Sequence, residues 1–325
     1  MHLRRVLGCM SFGGAFNEAQ SHQLLKQWVK AGYCETDNAI MYSGGKSEKI
    51  QGRLHLSRDP EKMKIACKAN PGLGFTKDDI IKQLDTSLQS LSIPSCDIFY
   101  LHWPDHTVPI EDTLKGVDQL HKDGKFKEFG LSNYASWEVA DIYHICKQSG
   151  YVLPTVYQGM YNALTRDIEL ELIPCLRRYG IRFYVYNPLA AGMLTGKYDF
   201  SKNEEQPKGR FFAVEKENAF TAKWAKAYQD RYWRDNYKHG VQHVIEVLEK
   251  TYSGEVSLLE ASFRWLQNHS ALVDDDGLIL GFSKMEHFEQ NLNSVNVLEP
   301  LHEDVVAAFE EAWNAIKSDC PKYNR

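Results

Sequence analysis

Four titratable side chains in this sequence have the types and spacing of a proton-transfer set. Asp37 and Tyr42 share the run Glu35-Thr-Asp-Asn-Ala-Ile-Met-Tyr42, Lys68 closes the apolar run Met63-Lys-Ile-Ala-Cys-Lys68, and His102 closes Asp97-Ile-Phe-Tyr-Leu-His102. Each falls at or just past the C-terminal end of a predicted strand, so parallel strands would bring all four to one rim. Tyr42 is the expected general acid, giving its phenolic proton to a carbonyl oxygen as that oxygen becomes an alkoxide. A free tyrosine, with a pKa of about 10, exchanges protons poorly at neutral pH. A neighbouring ammonium lowers that value, which makes Lys68 the expected activator. Asp37 would hold the lysine, and His102 would donate a hydrogen bond that aligns the substrate oxygen.

Taken singly, each residue has a plainer reading. A tyrosine after a strand more often packs the rim than catalyses, and an isolated histidine is more often a satisfied structural one. Lys68 is odder, because lysine is rarely buried unpaired. The four together at strand ends favour chemistry. Competing motifs fall away. Tyr42-Ser-Gly-Gly-Lys46 has Tyr-x-x-x-Lys spacing, but that pair needs one helical face and Gly44-Gly45 is poor helix material. Gly45-Lys46-Ser47 ends like a phosphate loop, with Ile40 where the first glycine belongs. Pro104 spoils a helical zinc pair of His102 and His106, and nothing near His239 and His243 completes a metal set. Asp274-Asp-Asp-Gly277 has Met285 where a calcium loop ends in glutamate. No metal is expected.

The elements that must position these residues alternate along the chain. Strands are predicted over 6–8, 33–37, 64–68, 96–101, 128–132, 156–158, 182–186 and 278–281. Helical periodicity falls between them, over 21–31, 78–91, 110–123, 136–149 and 168–179, with another helix over 258–268 before the last strand. A doubly wound dinucleotide fold would need a glycine fingerprint after its first strand, and Cys9-Met-Ser-Phe-Gly-Gly-Ala does not fit one. A parallel α/β (β/α)8 TIM barrel fits the strand count and places functional residues at the strands' C-terminal ends. The expectation is one barrel domain over 1–325, with a long substrate and cofactor loop before the last strand and a C-terminal tail over the active site. That long stretch, 198–252, is charged and aromatic and reads as a lid or binding loop.

Composition narrows the class. Hydrophobic content of 43% and charged content of 25% suit a globular protein with ample core. A net charge of -5 with no basic block argues against nucleic acid as a partner. No secretory h-region opens the sequence, and no apolar run reaches the ~18 residues of a membrane span. Seven scattered cysteines, odd in number and never C-x-x-C, point to a reducing, cytoplasmic setting.

With these residues in hand, the chain resembles the aldo-keto reductase superfamily from about Val6 to Arg325, and Asp37, Tyr42, Lys68 and His102 match its catalytic tetrad. It looks most like the branch containing aflatoxin-aldehyde and succinic semialdehyde reductases. The stretches carrying that likeness are Leu101-His-Trp-Pro-Asp-His106, Gly130-Leu-Ser-Asn-Tyr-Ala-Ser-Trp137 and Tyr157-Gln-Gly-Met-Tyr-Asn162. Tyr186-Asn-Pro-Leu-Ala-Ala-Gly-Met-Leu-Thr-Gly-Lys197 and Cys320-Pro-Lys-Tyr-Asn-Arg325 complete it.

The resemblance implies NADPH as cofactor. Ser132, Asn133 and Gln158 would hydrogen-bond the nicotinamide carboxamide, and Tyr186 would stack on the ring. Asn187, Pro188, Leu189, Gly192, Leu194, Gly196 and Lys197 would follow the pyrophosphate. Arg210, Ser283, Lys284, Gln290 and Asn291 would hold the adenosine end. Many superfamily members have arginine where His287 stands, so Arg210 and Lys284 would carry more of the 2′-phosphate here. Tyr228, Arg231 and Arg325 match positions that receive a substrate carboxylate in the resembling enzymes, and guanidinium forks suit that group. Trp103 replaces a smaller residue and would wall the pocket. The loop 211–227 looks longer than its counterparts. The implied activity is reduction of reactive carbonyls, among them dicarbonyls, aflatoxin-dialdehyde-like compounds and succinic semialdehyde, by a homodimer with no membrane partner. The alternative is a reductase-like regulatory subunit of a potassium channel, binding NADPH with little turnover.

Overall fold

The computed structural model describes residues 2–54, 63–200 and 219–325, the last stretch with side chains from 226 onward. Eight strands close a barrel in sequence order, all parallel: β1 (Arg4–Gly8), β2 (Glu35–Asp37), β3 (Lys64–Ala69), β4 (Cys96–Leu101), β5 (Phe126–Ser132), β6 (Pro154–Met160), β7 (Arg182–Tyr186) and β8 (Gly277–Gly281). The helices are α1 (Glu18–Lys30), α2 (Lys46–Arg53), α3 (Lys77–Leu91), α4 (Ile110–Lys122), α5 (Ser136–Ser149) and α6 (Leu172–Arg178). They continue with α7 (Ala219–Tyr232), α8 (Asp235–Tyr252), α9 (Leu258–Asn268), α10 (Met285–Val295) and α11 (Glu303–Ile316). Local signals set the helix starts. Asn17 with Gln20, and Thr76 with Asp79, form reciprocal capping boxes that satisfy N-terminal N–H groups of α1 and α3.

The strand period explains why chemistry gathers at one end. Successive side chains point to opposite faces of a strand. Val6, Ala66, Ile98, Tyr100, Val156, Tyr184 and Ile279 pack together inside the barrel. Two residues past Ala66, Tyr100, Val156 and Tyr184 come Lys68, His102, Gln158 and Tyr186, so the same inward face turns polar at the C-terminal rim. Gly277 makes room for this interior, since a Cβ there would lie 2.9 Å from the Tyr184 ring. The other strand face packs under the helices in a larger apolar core.

Several element bounds differ from sequence expectation, and two of the differences have a clear local cause. β2 begins at Glu35 rather than Tyr33, because Gly32 turns the chain at φ +88° and Tyr33 instead lies against Trp28, ring centroids 4.6 Å apart. The helix expected over 168–179 is a 3-10 turn, Asp167–Glu169, followed by α6. Pro174 is the reason: it lacks an N–H and is tolerated only in a helix's first turn. The stretch 198–252 does hold helices, α7 and α8, and α8 packs closely on α11 where a Cβ on Gly240 would sit 3.1 Å from that of Ala312. Arg210 and 211–218 of the loop 211–227 lie outside the described residues. Among the described residues no helix is long and apolar enough to cross a membrane, and all seven cysteines are free thiols.

Candidate active site

Lys68 is the centre of the rim. Its side chain is fully buried, and Nζ donates to Asp37 at 2.7 Å, to the Asn38 carbonyl at 2.8 Å and to the Tyr42 hydroxyl at 3.1 Å. Asp37 is held from a second side, where Gln158 Nε2 donates to Oδ1 at 2.8 Å. Tyr42 opens a left-handed turn, with Ser43, Gly44 and Gly45 at φ 51°, 64° and 82°, which bends its ring back over Lys68. Lys46 lies beyond that turn in α2, so it shares no helical face with Tyr42. His102 closes the group, its ring 5.9 Å from that of Tyr42 at 77°. The structure therefore brings all four sequence-predicted residues together.

The electrostatics differ from expectation at Tyr42. Burial, then the Asp37 charge, push its phenol well above the usual value, and Tyr228, Cys9 and Tyr186 add to the rise. Lys68 does not overcome this, and its own pKa is lowered by burial against the pull of Asp37. Tyr42 thus keeps its proton at neutral pH. His102 is held well below its ordinary value by burial, Lys68 and Arg325, so it stays neutral. Its Nδ1 is buried without a hydrogen-bond partner among the described residues.

Behind the rim lies a carboxyl that sequence reasoning did not single out. Glu48 of α2 is 1% exposed, and burial pushes it up to about 7, opposed by the Ser87 hydroxyl and the Lys68 charge. An unfolded glutamate titrates at about 4.3. From there up to about 7 the unfolded chain loses the proton first, so stability falls as pH rises. Glu48→Gln should stabilise the protein at pH 8 by up to about 3 kcal/mol, and by far less at pH 5. Thermal melts at the two pH values check this, and equal shifts at both would contradict it.

Of the residues expected around a nicotinamide ring, Ser132, Asn133 and Gln158 are buried and Tyr186 partly so, and Asn133 links Ser132 to Tyr186. Asn133 Nδ2 donates to the His102 carbonyl at 2.8 Å and to Ser132 Oγ at 2.9 Å, while Asn133 Oδ1 accepts from the Tyr186 hydroxyl at 2.8 Å. Asn187 takes φ 61° and is fixed by its Nδ2 donating to Tyr232 OH at 2.8 Å. Sequence reasoning did not single out Tyr232, Asn162, whose Nδ2 donates to the Asn187 carbonyl at 3.1 Å, or Asn38, whose carbonyl accepts from Lys68, because these partners lie 25 or more residues away.

Beyond Asn187 the backbone takes left-handed angles at Ala190, Ala191, Gly192 and Gly196, a concave arrangement of the kind that turns N–H groups toward anions. A Cβ on Gly192 would lie 3.0 Å from Lys197 Nζ. Burial and then Lys284 lower Lys197, and burial, Lys197 and Lys284 lower His287, so basic groups crowd one corner. No carboxylate pairs with Lys197 or Lys284 among the described residues. Ser283 and Lys284 stand at the N-terminus of α10, which favours negative charge. Asn291 is buried in that helix and Gln290 is exposed. This donor set fits the phosphates of a dinucleotide.

On the other side of the rim, Arg231 reaches in from α7 with its guanidinium carbon 5.6 Å from the Tyr228 ring and Nη1 3.7 Å from Met160 Sδ. Burial opposes its charge, but Tyr186, Tyr228 and Tyr232 favour the cation and raise it overall. Arg325 lies 5.1 Å over the Trp103 ring, lowered by burial and by Arg231 despite Tyr186. The two guanidiniums repel each other, and Arg325 also interacts with Tyr42, so an anionic group placed between the arginines would relieve that repulsion.

Comparison with known proteins agrees with this geometry. The Aldo/keto reductase family profile matches residues 6–314. Aflatoxin B1 aldehyde reductase member 2 of Mus musculus is 46% identical, over 98% of this chain and 87% of its own length. Aflatoxin B1 aldehyde reductase member 4 of Homo sapiens is 44% identical, and Aldo-keto reductase family 7 member A3 of Homo sapiens 45%, each over 98% of this chain and 96% of the relative.

Proposed function

Since the chain belongs to the aldo/keto reductase family, whose members use a nicotinamide cofactor, we propose that this oxidoreductase reduces carboxylate-bearing aldehydes with NADPH and with Tyr42 as proton donor. The cofactor, when bound, supplies the hydride that reaches the carbonyl carbon. The remaining work falls to the chain. Tyr42 gives its hydroxyl proton to the carbonyl oxygen, and Lys68, 3.1 Å away, stabilises the phenolate left behind. Asp37 and the Asn38 carbonyl fix Lys68 so that its charge need not reorganise. Neutral His102 has one N–H to offer. With Nδ1 lacking a partner, Nε2 is the better site for that proton and becomes the donor to the substrate oxygen. Solvent then returns a proton to Tyr42.

The pair Arg231 and Arg325 carries the substrate reading. Arg231, part-buried against a tyrosine and a thioether, and Arg325 over Trp103 suit a carboxylate, which guanidiniums bind by charge and by parallel hydrogen bonds. Relatives named as aflatoxin B1 aldehyde reductases support an aldehyde as the other end. Succinic semialdehyde has both features, and dicarbonyls and aflatoxin-dialdehyde-like compounds share the reactive carbonyl. Lys197, Lys284 and His287 favour the additional phosphate of NADPH over NADH. Arg210 belongs to that reading too. The free thiols suit a cytoplasmic setting. A channel-regulating role that binds cofactor without turnover would have no use for the two guanidiniums.

A substrate panel tests the proposal. With NADPH, 2-carboxybenzaldehyde should show a KM at least about tenfold below that of benzaldehyde, and Arg231→Gln should erase most of that difference. NADH should be the poorer cofactor. Equal KM values for the two aldehydes, unchanged by Arg231→Gln, would refute the carboxylate reading.

A further inference from the structure

We propose that Tyr323 is a positioning residue that latches the segment 320–325 across α5 and the start of α6, holding Arg325 over the mouth of the site. The proposal rests on the reading of Arg325 as a carboxylate partner and deepens it.

The segment 320–325 follows a 3-10 turn, Lys317–Asp319, and has no helix or strand of its own. Irregular backbone keeps one conformation only where its groups are tied. At the near end, Asp319 is fixed by α8 and the turn before it: Arg234 Nη1 donates to its carbonyl at 3.0 Å, and Asn236 Nδ2 to its carboxylate at 3.0 Å. At the far end the Arg325 N–H donates to the Asn133 carbonyl at 3.0 Å. Tyr323 lies between them. Its hydroxyl accepts from the Ser136 N–H at 3.1 Å and donates to the Glu171 carboxylate, while its ring packs against the large core.

These two bonds are stronger than their count suggests. Ser136 opens α5, and first-turn N–H groups have no partner within a helix. A carboxylate acceptor makes the second bond charge-assisted. The hydroxyl that joins α5 to Glu171 is committed to them, so Tyr323 acts on the site only through what it holds. What it holds is central. Asn133, which carries Arg325, also bonds the His102 carbonyl and the Tyr186 hydroxyl. Slack in the segment would therefore move a guanidinium seated over Trp103 while leaving Tyr42, Lys68 and Asp37 in place.

Tyr323→Phe keeps the ring and removes the hydroxyl. Hydrogen exchange of a peptide covering 320–325 reports the latch without reference to chemistry, and steady-state kinetics with NADPH report its consequence. Exchange at Arg325 should accelerate about tenfold, and KM for 2-carboxybenzaldehyde should rise by a similar factor, the loss of one charge-assisted bond. The kcat values for 2-carboxybenzaldehyde and benzaldehyde should move less than about twofold, since no reacting group shifts. Glu171→Gln, whose amide oxygen still accepts from the phenol, should stay nearer the parent protein than Glu171→Ala. Unchanged exchange, or KM rising equally for both aldehydes, would overturn the latch. If Arg325→Ala keeps the carboxylate preference, the reading of Arg325 fails instead, and the exchange rate still decides whether Tyr323 is a latch.

Discussion

Tyr42→Phe should lower aldehyde turnover by about 10³-fold while cofactor binding, read by fluorescence titration, changes little. The phenyl ring preserves the edge contact with His102, centroids 5.9 Å apart, so only the hydroxyl 3.1 Å from Lys68 is lost. That hydroxyl is a loaded acid. Burial and Asp37 hold its proton on, which is the state needed to protonate a carbonyl oxygen as it gains negative charge. On the proposed mechanism Lys68 would act later, as the phenolate forms, because a fixed ammonium in a water-poor site stabilises a developing anion more than an exposed one does. Loss of cofactor binding together with activity would mean that Tyr42 shapes the site rather than donating a proton.

Lys68→Met should damage both fold and function. Removing the ammonium leaves the Asp37 carboxylate, 3% exposed, with Gln158 as its side-chain donor. Breaking a buried pair from one side costs about 3–5 kcal/mol. The Asn38 carbonyl loses its donor as well. Urea melts of the single variant should show that loss, and the double variant Lys68→Met with Asp37→Asn should recover much of it, because no charge is then stranded. Turnover should stay low in both. A single variant within about 1 kcal/mol of the parent protein would show that the pair is no better than a surface one.

Much of the site was legible in the sequence because strand periodicity is short-range. An apolar run that ends in lysine or histidine shows both where a strand stops and which face its last side chain takes, and Ala66 with Lys68, and Tyr100 with His102, follow that rule. The barrel was legible for the same reason. What escaped depends on distance and burial. Gln158 reaches Asp37 across 121 residues of sequence, a link no local pattern contains. The direction of the Tyr42 shift required knowing how deeply the group sits. Lys68 alone suggested a lowered value, and burial with Asp37 reverses it. Pro174 was a readable signal for the late start of α6, overridden by the periodicity of 168–179. The link between Tyr323 and Glu171 joins residues 152 apart and has no sequence signature.

Counting NADPH oxidised per chain with 2-carboxybenzaldehyde shows whether a proton from Tyr42 completes the proposed NADPH-dependent reduction of a carboxylated aldehyde. The parent protein should oxidise many equivalents, matched one for one by alcohol formed, while Tyr42→Phe saturated with the same cofactor should oxidise about 10³-fold fewer in the same time. Equal oxidation by the two proteins, or no more than one equivalent from the parent, would contradict it.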